Sequence, residues 1–443
     1  MPQSQLSRSL VALLLLAVLV LAAALRLQAI STTVVDTPIR ADAKVYYNSA
    51  LNLQRWGVFS SAPPAKQAPA PDAFVQPLMP WMASSVVDRY ASERMLLRFN
   101  TLQAVLGVFT VLLTFWLFAG LAHPLVGVGA ALLTALSPHL IVMSTYFLTE
   151  TLFTFLLVAA LGGLVQAVRR SSAGWACVGG VLLGLTALTR ATTEYAPLLM
   201  VGAVLPFATR RQWLTLLLPA ALAGLVVVLG WKLRNWAVVG AVSDPTLMVN
   251  TVLHGAYPDF MFNGLEASHG APYWYDPFAQ QGGYDMAAVL QEVWRRVVQD
   301  PVTYLYWYLA GKPISLLSWN MIDGMGDVFI YPVLESPYFD NFYFAISRWG
   351  MQHIHAPLSV LAVVGGVSLL WKAGALGLSS TQRLMLAWLV ALFGYFFLIH
   401  AVGAPFPRYG IPLRPFVYGL AVWVLWVAGQ QTVKWWQSRK VSA

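Results

Sequence analysis

The sequence predicts an all-α, polytopic transmembrane helical bundle of about ten spans, with two long loops on one side that carry amphipathic helices. Three observations predict it. The 443 residues are 58% hydrophobic and only 10% charged, with a mean hydropathy of +0.65. A water-facing surface normally needs about a quarter of its residues charged, so lipid is the solvent this composition suits. Apolar runs that approach the length of a ~30 Å hydrocarbon core recur along the whole chain, and the connections between them alternate in charge.

The first run, 9–30, follows Arg8. Ala22, Ala23 and Ala24 resemble a signal-peptidase site, but the many later spans make this segment a retained signal anchor; either reading puts the next segment outside. Further runs follow at 99–121, 125–143, 151–168, 175–188, 195–208 and 213–231, then at 357–371, 384–400 and 411–428. One set of connections holds Arg8, Arg169 with Arg170, Arg210 with Arg211, Lys372 with Arg383, and the tail Lys434, Arg439 and Lys440. None of these segments has an Asp or Glu, so the positive-inside rule makes them cytoplasmic. The 18 acidic residues then fall outside or near outer helix ends. This predicts a multi-pass cell (plasma or inner) membrane protein whose active site faces away from the cytoplasm. The net charge of +9 reflects membrane orientation, not nucleic-acid binding.

Parity settles segment 303–319 (TYLYWYLAGKPISLLSW). A span there would reverse every later loop, and a central Lys312 costs roughly 3 kcal/mol on insertion scales. It is placed at the outer interface or as a re-entrant element.

The chain reads as one polytopic membrane domain, 1–443, with outer regions at 31–98 and 235–354. In the first, 39–56 is an amphipathic helix with Asp42, Tyr46 and Ser49 at helical spacing, and 60–77 is a flexible Pro-, Ala- and Ser-rich loop. In the second, a helix over 284–299 is ended by Asp300-Pro301, among aromatics that suit a membrane interface. Cys177 is the lone cysteine, so no intrachain disulfide forms.

No metal motif, phosphate-binding glycine loop, dinucleotide fingerprint or serine-nucleophile elbow is present, which removes any sign of an ATP-driven pump. What remains is charge at the outer surface: Arg40 and Asp42 after the first span, Glu150 before the fourth, Arg190 and Glu194 between two spans, Arg234 after the seventh and Arg408 before the last. Ionisable groups beside apolar spans are functional candidates by default. The plainer alternatives are a Glu150–Arg190 salt bridge and helix-end anchoring by Arg234 and Arg408. Several arginines with one placed carboxylate suit a substrate with a lipid tail and a phosphate head: arginine pairs bidentately with phosphate, and a carboxylate takes a proton from an attacking hydroxyl.

At these residues the chain resembles GT-C class glycosyltransferases of the polyprenyl-phosphate-sugar type, such as protein O-mannosyltransferases and lipid A aminoarabinose or galacturonic acid transferases. The resemblance covers most of the chain as an ordered series of short motifs. Arg40-Ala-Asp42 with Tyr46, Ala50-Leu51 and Gly57 is similar to the family's first-loop motif, and Gln76-Pro77-Leu78-Met79-Pro80-Trp81 to its Pro-rich entry to the next helix. Leu148-Thr149-Glu150 resembles its Thr-Glu before the fourth span, and the Gly180 to Arg190 stretch its Gly-rich helix ending in Arg. Trp231-Lys-Leu-Arg234-Asn235 with Gly240, and Arg408-Tyr409 with Pro412 and Pro415, resemble its later outer junctions. Two positions depart from the pattern: Ala43 stands where many relatives carry a second acid, and Ala191 where Pro is usual, with Glu194 soon after and unassigned.

The resemblance implies that Asp42 is the general base and binds the acceptor. It implies that Arg40 and Arg408 contact the donor phosphate, with Arg190 and Arg234 as further candidates. Tyr46, Glu150, Glu194 and Tyr409 would border the substrate pocket, Glu150 holding architecture. The implied reaction is an inverting, metal-independent transfer, without cofactor, from a polyprenyl-phosphate sugar to a lipid, glycan or protein acceptor. The competing readings are a membrane transporter or lipid flippase, and a non-catalytic assembly protein. Against the transporter, no inverted repeat is found and the charges gather at one face, not the midplane.

Overall fold

The computed structural model describes residues 8–282, 285–322 and 324–441. Tyr284, the expected first residue of the second amphipathic helix, and the side chain of Lys440 lie outside the described residues. Helix α1 (Arg8–Thr32) leads through a two-residue strand β1 (Val34–Val35) to α2 (Ala41–Trp56). The bundle continues with α3 (Glu93–Leu121), α4 (Pro124–Leu136), α5 (Pro138–Thr145), α6 (Glu150–Arg170), α7 (Ala173–Ala187), α8 (Ala196–Val204) and α9 (Arg210–Val239). After α10 (Met286–Gln299) and strand β2 (Val333–Glu335) come α11 (Phe342–Trp371), α12 (Ser380–Val402) and α13 (Pro407–Gln437).

Among the described residues seven helices are long and apolar enough to cross a membrane, and α4 with α5, bent by 59°, brings the number to eight. All ten predicted runs are helical, but the runs at 175–188 and 195–208 fold as the shorter α7 and α8, of 15 and 9 residues. At 1.5 Å per residue α7 is about 22 Å long. It still returns the chain along α6: Arg190, just beyond α7, reaches Glu150 at the end of α6 opposite Arg170. Close approach makes this possible. A Cβ on Gly163 of α6 would lie 2.9 Å from the Cα of Gly179, and one on Gly180 would collide with the Ala220 carbonyl of α9. Small residues let helices pack where lipid offers no hydrophobic drive.

The bend between α4 and α5 has an identifiable cause. Pro138 lacks the N–H that would bond the Thr134 carbonyl. Arg26 of α1, only 1% exposed, donates to Thr134 O at 3.5 Å, Ala135 O at 3.4 Å and Ala22 O at 3.2 Å. An intramembrane guanidinium thus bonds carbonyls at the end of the interrupted helix, a role sequence analysis passed over.

The span expected to begin at 357 begins at Phe342 instead, so Pro357 lies inside α11. A π-turn at Leu361–Gly365 follows the proline along the same helix. Segment 303–319 is not among the seven long apolar helices. It folds as Pro301–Tyr306, a π-turn Trp307–Gly311 and Lys312–Leu316, with Val302, Leu305, Leu309 and Ile314 exposed. Lys312 is buried: its ammonium donates to Ala401 O at 2.7 Å and Gly403 O at 3.0 Å and sits 4.0 Å from the Tyr308 ring centre.

The regions 31–98 and 235–354 are tied together by β1 and β2, which pair antiparallel with Val34 opposite Glu335 and Val35 opposite Val333. The stretch expected to be a flexible loop has little regular structure but is held by side chains. Asn52 of α2 donates to Ser60 O and Ala62 O at 2.9 and 2.8 Å, and Ser61 N donates to Asp72 at 2.7 Å.

Candidate active site

The end of the bundle that carries α2 gathers four charged side chains from four places in the sequence. Glu150 begins α6 and is fully buried. The extended segment before it is fixed by Gln103 of α3, whose amide donates to Tyr146 O at 3.3 Å and Leu148 O at 3.0 Å. Arg190 arrives by the return of α7 and donates to Glu150 Oε1 at 2.6 Å and Thr149 Oγ1 at 3.3 Å. Arg408, in the first turn of α13, places Nε 3.4 Å from the same Glu150 oxygen and donates through Nη2 to Asp42 Oδ2.

Packing sets Arg408. Lys312 holds the carbonyls of residues 401 and 403, and Ser315 Oγ donates to Pro405 O at 3.1 Å. A Cβ on Gly410 would collide with the Leu316 carbonyl, so α13 starts in direct contact with the end of the Lys312–Leu316 helix. Tyr409 offers its ring to both arginines: the Arg190 guanidinium carbon is 4.6 Å from its centroid and that of Arg408 is 5.5 Å.

The result is a connected row, Arg190–Glu150–Arg408–Asp42. Its exposure is graded: the Glu150 side chain is 0% exposed, that of Arg408 9% and that of Asp42 47%. Asp42 is the end that water and a substrate can reach. The Arg408 guanidinium holds its carboxyl below the usual carboxylate range, with Arg190 adding to the effect. Asp42 is therefore an ionised acceptor at neutral pH, on the first turn of a 16-residue helix. Tyr46, one turn further along α2, shares the neighbourhood; burial, with Asp42 next in effect, raises its hydroxyl pKa.

Of the other predicted residues, Arg40 flanks this row. It pairs at 3.9 Å with Asp36, and its guanidinium lies 5.9 Å from the Tyr331 ring centre. Arg234 makes its contacts elsewhere: it donates to Asp72 O and Asn235 Oδ1, both at 3.0 Å, and lies over Trp231 and Phe59. That ties α9 to the loop between α2 and α3. Glu194, unassigned from sequence, pairs with Lys232 of α9 at 2.8 Å. Among the described residues no three His, Cys, Asp or Glu side chains come together as a metal-binding group.

Tyr331 is the residue that sequence reading missed. It stands two positions before β2, and β pairing, with Asp36 N donating to Pro332 O at 2.9 Å, brings it beside the start of α2. A lone tyrosine in an irregular outer segment carries no periodic signal, and strands of two and three residues are too short to read.

No family model matches the chain, and neither does any curated protein sequence. Solved structures do. The oligosaccharyltransferase of Archaeoglobus fulgidus, tethered with an acceptor peptide containing the NVT sequon, is similar at a TM-score of 0.54 and 12% identity, covering 96% of this chain and 50% of that one. The archaeal oligosaccharyltransferase AglB from the same organism, in complex with an inhibitory peptide and a dolichol-phosphate, gives 0.53 and 14%, covering 97% and 52%. ArnT from Cupriavidus metallidurans bound to undecaprenyl phosphate gives 0.47 and 12%, covering 95% and 60%. The chain spans about half the length of the archaeal oligosaccharyltransferase chain in each of the first two structures. Their likeness shows the fold, an all-α polytopic bundle of GT-C type.

Proposed function

We propose that this chain is an inverting glycosyltransferase that moves a sugar from a polyprenyl-phosphate donor to a lipid, glycan or protein acceptor on the extracytoplasmic face of the cell membrane. The observation that carries the reading is the row Arg190–Glu150–Arg408–Asp42, with its ionised carboxylate exposed and its arginines behind it, on a GT-C fold. The named ligands of the similar structures, a dolichol-phosphate and an acceptor peptide, belong to the same chemistry.

In this reading the acceptor hydroxyl gives its proton to Asp42 as its oxygen bonds to the anomeric carbon. The carbon–oxygen bond to phosphate breaks on the opposite side, and the electron pair leaves with the polyprenyl phosphate. Proton removal of this kind contributes roughly 10²–10⁴ in rate. Arg408 and Arg190 stabilise charge gathering on the leaving phosphate. Arg40 flanks the same site and gives a further cation for the phosphate head. Glu150 holds both inner arginines in place. Arg234 acts on the site through the first outer loop.

The test is genetic and chemical. Deleting the gene should remove one glycoform from the envelope lipids, glycans or proteins resolved by mass spectrometry, restored by the wild-type gene and not by an equally expressed Asp42→Asn gene. Reporter fusions at Ala65 and Arg170 should report opposite compartments. An unchanged glycan profile, or both reporters in one compartment, removes this reading.

A further inference from the structure

Tyr331 is 5% exposed, and its hydroxyl has no hydrogen-bond partner. Leaving a buried hydroxyl without a partner is costly, and among the buried hydroxyls so placed this one stands by the start of α2. The ring is firmly placed: Tyr146 Oη donates to Tyr331 O at 3.0 Å, the two rings meet edge to face at 5.4 Å, and the next residue is bonded to Asp36. The Arg40 guanidinium just before α2 lies 5.9 Å from the Tyr331 ring centre, and the charges of Asp42, Arg408 and Glu150 act on the hydroxyl. It therefore stands idle beside the one carboxylate of the row that substrate can reach.

We infer that the Tyr331 hydroxyl donates a hydrogen bond to the attacking oxygen of the acceptor, and that the acceptor atom is an alcohol oxygen. This rests on the transferase reading above. A hydroxyl nucleophile has one proton and two lone pairs. Asp42 takes the proton, one lone pair forms the bond to the anomeric carbon, and the other accepts from Tyr331. An amide nitrogen has no second lone pair to offer and would leave the tyrosine idle. The donor proton stays on Tyr331 throughout, in keeping with the burial and the Asp42 charge that raise its pKa.

Tyr331→Phe tests this, because it removes the hydroxyl and keeps the ring. Reconstituted wild-type, Asp42→Asn and Tyr331→Phe proteins are compared for transfer from a polyprenyl-phosphate sugar, with donor and acceptor varied separately and thermal unfolding followed in parallel. The expected result, from lost orientation of the attacking oxygen, is an acceptor kcat/KM lowered about 10- to 100-fold, a donor KM within about twofold of wild type, and a melting midpoint no lower than wild type, since no existing hydrogen bond is lost. Wild-type acceptor kinetics in Tyr331→Phe, beside an inactive Asp42→Asn, would overturn the Tyr331 assignment alone. So would a lowered midpoint with donor and acceptor affected equally, the mark of a merely structural ring. If the wild-type protein transfers sugar from no polyprenyl-phosphate donor, the transferase reading fails first and this assignment falls with it.

Discussion

Changing Glu150 to Gln should damage the fold as well as the site. The carboxylate is fully buried, and its Oε1 atom receives Arg190 at 2.6 Å and faces Arg408 Nε at 3.4 Å. The Arg190 side chain is 12% exposed and that of Arg408 9%. Glutamine keeps the size and one acceptor oxygen but removes the negative charge. Two guanidinium groups then remain buried, with Asp42 the only nearby carboxylate in the row, and that carboxylate is half exposed. Removing one member of a buried ion pair costs about 3–5 kcal/mol, because the partner charge stays buried and uncompensated. Surface pairs are worth only about 0–1 kcal/mol, so the two cases separate cleanly. Equilibrium unfolding by steric trapping in bicelles measures the difference directly. A loss below about 1 kcal/mol would refute the claim that Glu150 is the charge that organises both arginines, as would a Glu150→Gln protein whose donor KM is unchanged.

Other expectations follow from the same structure. The Arg408 guanidinium depresses the folded-state pKa of Asp42, so its carboxylate stays ionised below the ordinary carboxylate range and is lost only as pH falls through that lower value; the acidic limb of kcat/KM should lie below the ordinary carboxylate range, and Arg408→Gln should move it upward. A limb unmoved in that variant would break the link between the two residues. Arg26→Met should destabilise by about 1–3 kcal/mol, because the Thr134 and Ala135 carbonyls lose their donor inside the bundle; unfolding free energy equal to wild type would contradict the role at the bend. Gly180→Val should cost at least about 1–3 kcal/mol through overpacking against the Ala220 carbonyl, and unaltered thermal unfolding would contradict the close α7–α9 approach.

The bundle was legible in the sequence where lipid imposes a rule. Apolar length gave the long spans, and the lysine in the middle of 303–319 kept that segment out of the count. Length failed for α7 and α8, of 15 and 9 residues; in α7, Gly179, Gly180 and Gly184 let a short helix pack tightly against α6 and α9. Pro357 misled because proline often starts a helix; here it lies in the helix interior. Asp42, Glu150, Arg190 and Arg408 were visible as charges beside apolar runs, but their order of contact was not, since it joins residues up to 366 apart in sequence. Arg26 was hidden among leucines and alanines, because its partners are backbone carbonyls that carry no residue identity. Tyr331 was hidden because the strands that deliver it span two and three residues.

The most direct measurement follows a label at the anomeric carbon. Purified wild-type and Asp42→Asn proteins in nanodiscs are given a polyprenyl-phosphate sugar carrying ¹³C at C1, with membrane extract as the acceptor source, and the label is followed by NMR. Wild type alone should move the carbon to a new glycosidic bond of inverted configuration and leave bare polyprenyl phosphate. Label that stays on the carrier with wild type, retention of configuration, or equal transfer by Asp42→Asn would contradict the transferase reading.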